Sequence, residues 1–334
     1  MKFIELSIED RKDILRHLQA EKGMDLQIIE KDWWVTVILH ALFMLPYAEH
    51  LSFKGGTNLS KCWHLVERMS EDIDIAIDKE YLGFNGQLSK TQISDKLRRA
   101  SCSFVRQTLQ FDLARQLVAE GIPADSFKVD VNITPVSTTD PEIIEVAYAP
   151  VFQDNPYIRP KVIIEVSGRS MSEPVEEVFL QSYIDDVYPA APFTEPKFAV
   201  RAVLPQRTFL EKLFLLHEEF ARPTANIRTT RMSRHLYDVG QMMGKPLAEE
   251  ALTNRDLYLS ILEHRRVFIG LQGFDYNSLL PQTLNILPPD SVRELWRRDY
   301  RAMQESMIYG ASLSFDDLID RLRKLNLRIN QLKY

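Results

Sequence analysis

The sequence predicts a chain of two parts: an α/β (α+β) core over residues 1–205 and an all-helical C-terminal domain over residues 206–334. Three observations predict it. The stretch DIDIAID at 72–78 alternates strictly, and the segments 128–133, 143–148 and 161–167 read as further strands. Helical periods are interleaved with these strands. After Gln206 no strand signal appears, and every segment reads as helix. A chain of 334 residues is also long for one domain.

Taken in order, residues 7–21 read as a helix with Ser7 as N-cap and Asp10 three positions on. A second helix is predicted at about 25–44, ending before Pro46, with Ile28, Trp33, Val35, Ile38, Leu39 and Leu42 on one broad side. Leu51 to Phe53 is a short strand. Gly55 and Gly56 then form a turn, and Thr57 or Asn58 caps a helix running to about Glu67, which buries Leu59, Cys62, Trp63 and Val66. In 72–78, Ile73, Ile75 and Ile77 point one way while Asp72, Asp74 and Ala76 point the other. A loop at 80–90 leads to a long helix at 91–120 that stops at Gly121. The proline-rich stretch 186–206 reads as a crossing with one short strand at about 197–203. Helices are expected at 207–221, 231–244, 255–270, 290–308 and 314–332.

Composition narrows the class. Apolar residues make up 45% and charged residues 26%, as in a soluble globular protein. A net charge of -6 argues against a generally basic nucleic-acid coat but permits a local basic groove. The two cysteines, Cys62 and Cys102, are too few for a disulfide scaffold and lack metal-ligand spacing. The charged, amphipathic start does not read as a signal peptide, and the longest apolar run, 33–48, is too interrupted to span a bilayer. A cytoplasmic protein without a membrane partner is the expectation.

The chemistry concentrates in 53–78. Glycines at 55 and 56 let a ligand approach the backbone, and a helix behind them offers free N–H groups to a phosphate. Taken alone, the pair reads first as a plain tight turn between a strand and a helix. It matches neither a Walker A nor a G-x-G-x-x-G pattern. Asp72 and Asp74, two apart on a strand, project from one face, where a divalent cation would offset their repulsion. Glu165, inside an apolar strand, is either salt-bridged or a metal ligand or general base beside the two aspartates. Lys212 interrupts the apolar run Phe209, Leu210, Leu213, Phe214, Leu216, and either snorkels to the surface or grips a phosphate. Asp238 sits similarly within an apolar helix. Arg222, Arg228, Arg231 and Arg234 form a strip with no acid among them, either a solvated loop and helix start or a contact for nucleic-acid phosphates.

A strand, GG[ST], a helix and D-x-D on the next strand resemble the signature of the DNA polymerase β-like nucleotidyltransferase superfamily. The spacing from Gly56 to Asp72 is longer than the usual form. In that longer form, FKGGTNLSKCWHLVERMSEDIDIAID closely resembles the core motif of the AbiEii-type nucleotidyltransferase toxins of bacterial type IV toxin–antitoxin and abortive-infection systems. EKDWWVTVILHAL at 30–42 is similar to that family's N-terminal helix, and LEKLFLLHE at 210–218 to its lysine helix. RMSRHLYDV at 231–239 resembles its R-x-x-x-D-x-x-D-type helix through Arg234, His235, Tyr237 and Asp238. Position 165 is Glu where many polymerase β-like enzymes carry Asp.

The resemblance implies a nucleotidyltransferase core with a mixed twisted sheet flanked by helices, and a helical domain that completes the cleft. It implies Asp72 and Asp74 holding Mg²⁺ (or Mn²⁺) on the triphosphate of an NTP, with Glu165 as a third ligand. Lys54, Gly55, Gly56, Thr57, Ser60 and Ser70 would seat the nucleotide. Lys212 would contact the triphosphate and Asp238 would orient the basic residues near it. An acceptor hydroxyl, at the 3′ end of tRNA by analogy, would attack the α-phosphorus. Arg222, Arg228, Arg231 and Arg234 would then touch the RNA. Growth inhibition in phage defence and a winged-helix antitoxin partner are further expectations. A protein or small-molecule acceptor, or a non-catalytic nucleotide-binding regulatory module, are the competing readings.

Overall fold

The computed structural model describes residues 2–70, 72–131, 141–152 and 158–334. The chain divides into two compact units. The first comprises Met1–Cys62 and Met69–Val203, and the second Trp63–Arg68 and Leu204–Tyr334.

The first unit is built on one seven-stranded mixed sheet. Its strands are β1 (Leu51–Lys54), β2 (Asp72–Ile77), β3 (Phe127–Val131), β4 (Glu142–Tyr148), β5 (Lys161–Ser167), β6 (Val175–Leu180) and β7 (Phe198–Val203). They lie in the order β3-β4-β5-β2-β1-β7-β6. The pairs β1/β7 and β2/β5 are parallel, and the other neighbours are antiparallel. β2 therefore sits near the middle of the sheet, where Ile73, Ile75 and Ile77 are buried as the alternation predicts. The strand expected at 128–133 is seen as far as Val131, and its last two positions lie outside the described residues.

Helix α1 (Ile8–Lys22) starts at Ser7, whose side chain accepts the Asp10 N–H, and stops at Gly23 in a left-handed conformation. Helix α2 (Leu26–Phe43) starts at Asp25, which accepts the Gln27 N–H. The expectation of one broad apolar side is corrected here: α2 is buried almost all round. It packs against α1, against strands β5 and β7, and against α5 (Gln110–Ala119) and α6 (Tyr183–Val187). Trp34 stacks on Tyr148 with ring centroids 4.9 Å apart. The polar groups on α2 are satisfied rather than solvated. Glu30 accepts the Val151 N–H at 2.8 Å, and Lys31 donates to the Arg159 carbonyl at 3.2 Å. Asp32 pairs with Lys61 at 2.5 Å and accepts the Tyr183 N–H at 2.9 Å.

The long helix expected at 91–120 is a continuous helical run of mixed type. It is π-helical over Gln92–Leu97 and Val105–Leu109, and α-helical over α4 (Arg98–Phe104) and α5. Strand β6 has no counterpart in the expectations. It is a sheet edge with exposed Glu176 and Glu177, and its burial lacks a period of two.

The regular elements named in the second unit are helices: α7 (Pro205–Phe220), α8 (Ser233–Met242), α9 (Pro246–Thr253), α10 (Arg255–His264), α11 (Asp290–Ser306) and α12 (Phe315–Ile329). Proline at the first position starts α7 and α9, where its missing N–H costs nothing. Helix α8 starts two residues later than expected, after Arg231 at φ +59°. Helix α9 was not expected, and α10 ends at His264 with a π-type extension to Ile269. In α11, Val292, Trp296, Tyr300 and Met303 are the buried stripe. Helices α8, α11 and α12 pack on one another, and α7 on α8, α9 and α10. Among the described residues no helix is long and apolar enough to cross a membrane.

Candidate active site

In the first unit, β1 runs straight into α3 (Gly55–Lys61) without the expected separate turn. Lys54 occupies the N-cap position with extended backbone and no side-chain cap, so neither Thr57 nor Asn58 is the cap. Instead those two side chains tie α3 to the sheet. The Thr57 hydroxyl donates to the Asp72 carbonyl, and Asn58 Nδ2 donates to the Phe53 carbonyl at 2.9 Å. Ser60 is buried and its hydroxyl donates to the Thr57 carbonyl at 3.0 Å. The helix ends at Lys61, short of the expected Glu67, because the chain turns left-handed at His64 (φ +48°). Of the face expected to be buried, Leu59, Cys62 and Val66 are buried and Trp63 is half-exposed.

Gly55 on α3 lies against Asp74 on β2. Its φ is +80°, and a Cβ built on it would lie 1.9 Å from Oδ2 of Asp74. Only glycine lets the Asp74 carboxylate rest against this backbone. The sheet register adds two more charges to the same row. Asp74 is opposite Lys54 on β1 and opposite Glu165 on β5, so the three side chains leave the sheet on one face. Asp72, two residues before Asp74, projects from that face as well and is paired with Ile163. Lys54, Gly55, Gly56, Ser70, Asp72, Asp74 and Glu165 are all half-buried.

Among the described residues no group of three or more His, Cys, Asp or Glu side chains is placed to hold a metal ion on its own. A pair of carboxylates on one strand face still fits Mg²⁺, which is commonly held by one or two carboxylates and completes its shell from substrate phosphates and water. Glu165 stands in register beside this pair without completing a three-carboxylate ligand set.

In the second unit, Lys212 on α7 is not a snorkelling surface lysine. It is 7% exposed, among the buried Phe209, Leu210, Leu213, Phe214 and Leu216. Its ammonium lies 2.8 Å from Oδ2 of the fully buried Asp238 on α8. Arg68 grips the same carboxylate with both arms of its guanidinium, Nε to Oδ1 and Nη2 to Oδ2, each at 2.7 Å. The two cations hold the Asp238 carboxyl well below the usual carboxylate range, against the opposing effect of its burial. Burial, with the Arg68 charge added, pulls Lys212 below its ordinary value despite Asp238. Burial also drives His235 well below the usual histidine range. Arg68 escaped the sequence reading because a lone arginine between Glu67 and Met69 looks like linker.

The arginine strip is less bare than its sequence suggests. Glu219, 1% exposed at the side chain, accepts from Arg228 Nη2 at 2.6 Å and lies 3.4 Å from Arg222 Nε. Asp299 accepts the backbone N–H of Arg231 and both the N–H and hydroxyl of Ser233. An acid just ahead of the strip thus offsets part of its charge, and a distant one holds its backbone. Arg231 is exposed and Arg234 half-buried.

Comparison with protein families matches residues 37–321 to the model described as nucleotidyl transferase AbiEii toxin, type IV toxin–antitoxin system. The matched span includes Gly55, Asp72, Asp74, Glu165, Lys212 and Asp238. No curated protein matches the chain.

Proposed function

The chain belongs to the AbiEii family of nucleotidyl transferase toxins of type IV toxin–antitoxin systems, and from that premise we propose that it transfers a nucleoside monophosphate from an NTP to an acceptor hydroxyl at the 3′ end of tRNA. The carrying observation is the pair Asp72 and Asp74 on one face of β2, with the Asp74 carboxylate seated on Gly55.

In this reading Asp72 and Asp74 hold Mg²⁺ (or Mn²⁺). When bound, the cation supplies charge neutralisation on the triphosphate and polarisation of the α-phosphate. Lys54, Gly55, Gly56 and Ser70 seat the phosphates. The Thr57 and Ser60 hydroxyls are engaged with backbone carbonyls and hold the first turn of α3. Lys212 offers its ammonium to the triphosphate, and Asp238 keeps it oriented. The acceptor oxygen bonds to the α-phosphorus as the α–β phosphoanhydride breaks and pyrophosphate leaves. Glu165, in register with Asp74, takes the hydroxyl proton. Loss of usable tRNA 3′ ends would stop growth. The family implies an antitoxin partner, and a winged-helix protein encoded nearby is the partner we propose. The second helical unit is the part we assign to acceptor recognition, through Arg231 and Arg234.

A second reading, transfer to a protein or small-molecule hydroxyl, is favoured by one observation: Glu219 already engages Arg222 and Arg228. Incubation with Mg²⁺, each α-labelled NTP and total tRNA separates the two. Label in tRNA, abolished by EDTA and by Asp72→Asn with Asp74→Asn, is the expected result. Label only in added protein or small molecules supports the second reading. No transfer from any of the four NTPs, by folded protein, refutes both.

A further inference from the structure

Asp238 accepts three charge-assisted contacts, two from Arg68 and one from Lys212. Two buried cations thus share one buried carboxylate. The sharing is unequal. The planar fork of Arg68 matches both carboxylate oxygens, whereas Lys212 shares Oδ2 with Arg68 Nη2. Among the described residues Lys212 pairs with Asp238 alone, which leaves donor capacity on its ammonium.

Arg68 is itself held on its backbone. It bridges Ile308, while the neighbouring Glu67 carbonyl accepts the Tyr309 N–H at 3.1 Å. The guanidinium therefore reaches Asp238 from a segment that is fixed within the second unit. Helix α7 supplies Lys212 and helix α8 supplies Asp238, so three separate stretches of chain meet at one carboxylate.

We propose that Arg68 is a positioning residue for Lys212. By occupying both oxygens of Asp238 it prevents that carboxylate from neutralising Lys212 completely, and it fixes where the ammonium points. The ammonium is then directed to a polyphosphate anion. This rests on the transferase reading above. Without Arg68, Asp238 and Lys212 close into a one-to-one ion pair, and the ammonium loses its claim on the substrate.

The test is a double-mutant cycle in the full chain, with Arg68→Lys, Lys212→Met and the pair. Thermal unfolding reports folding, and label transfer from an α-labelled NTP reports kcat and KM. Arg68→Lys keeps the charge but cannot form the fork. It is expected to fold and to lose kcat about a hundredfold, the scale of a 1 Å misplacement. Adding Lys212→Met to it should then cost little more, because both act through one ammonium. Losses that multiply mark Arg68 as merely structural and overturn the proposal, as does an Arg68→Lys rate within threefold of the wild type. If Arg68→Lys does not fold, Arg68→Met is carried through the same cycle with the same criteria. A wild type that transfers nothing from any NTP refutes the transferase reading, and the proposal falls with it.

Discussion

Gly55→Ala is the sharpest perturbation of the candidate site. The added Cβ would stand 1.9 Å from Oδ2 of Asp74 and 2.6 Å from its Cγ. Ordinary contact begins at 3.4 Å, so the carboxylate must retreat by about 1.5 Å. Misplacement of a catalytic group by 1 Å costs about a hundredfold in rate, or about 2.7 kcal/mol of barrier. The substitution also places a Cβ at φ +80°, which strains the backbone by about 1–2 kcal/mol. For a unit of this size that is a fall in Tm of about 2–8 °C. Gly121→Ala separates the two effects. It has φ +87°, but its added Cβ would meet only Lys2 Cε, at 3.7 Å. Both variants should melt earlier, and only Gly55→Ala should lose nucleotide transfer. Label transfer and circular dichroism melting, run on the same preparations, check this. If Gly55→Ala keeps transfer within threefold of Gly121→Ala, the claim that Asp74 works from its seat on Gly55 is wrong.

Two further outcomes are expected. Burial pushes the Glu30 carboxyl from 4.5 up to about 7, so the folded state binds its proton more tightly than the unfolded state does. Its stabilising contribution is therefore full below pH 4.5 and lost as pH rises through about 7, by about 3 kcal/mol at 1.36 kcal/mol per unit. Glu30→Gln should flatten the fall in Tm over that window, and an unchanged slope would reject the assignment. Asp72→Asn with Asp74→Asn removes two like charges from one strand face. In EDTA the variant should be about 0.5–2 kcal/mol more stable than the wild type, while transfer is abolished and Mg²⁺ no longer raises Tm in the presence of NTP.

The legible parts of this chain are those whose cause is local. The Ser7 cap, the strict alternation of β2 and the positions of β1, β4 and β5 each follow from residues within a few places of one another. What the sequence hid depends on partners far along the chain. The burial of Glu30, Lys31 and Asp32 is not legible locally because their partners, Val151, Arg159, Lys61 and Tyr183, are at least 29 residues away. The arginine strip looked free of acids because its partners lie outside it, Glu219 three residues ahead of Arg222 and Asp299 68 residues from Arg231. Arg68 looked like linker because Asp238 is 170 residues on. Strand β6 was missed for a different reason. An edge strand needs only one neighbour and carries no buried face to impose a period of two. The shortened α3 belongs to both classes: its glycines mark its start, but its stop depends on a left-handed His64, an unfavoured choice that no local pattern signals.

The six residues Trp63–Arg68 are lent by the first half of the gene to the second unit. The chain therefore changes unit three times, at 62/63, 68/69 and 203/204. A truncation beginning at Leu204 would lack Arg68 and the bridge partner of Ile308, so Asp238 and Lys212 would be left with a different charge balance. No single cut yields two self-sufficient pieces. Recombination that exchanged everything after position 203 between relatives would be tolerated only where the donor's Asp238 equivalent accepts the recipient's arginine. The interleaving thus makes the Arg68 segment and the lysine helix inherit as one block, although they are separated by more than a hundred residues of sequence.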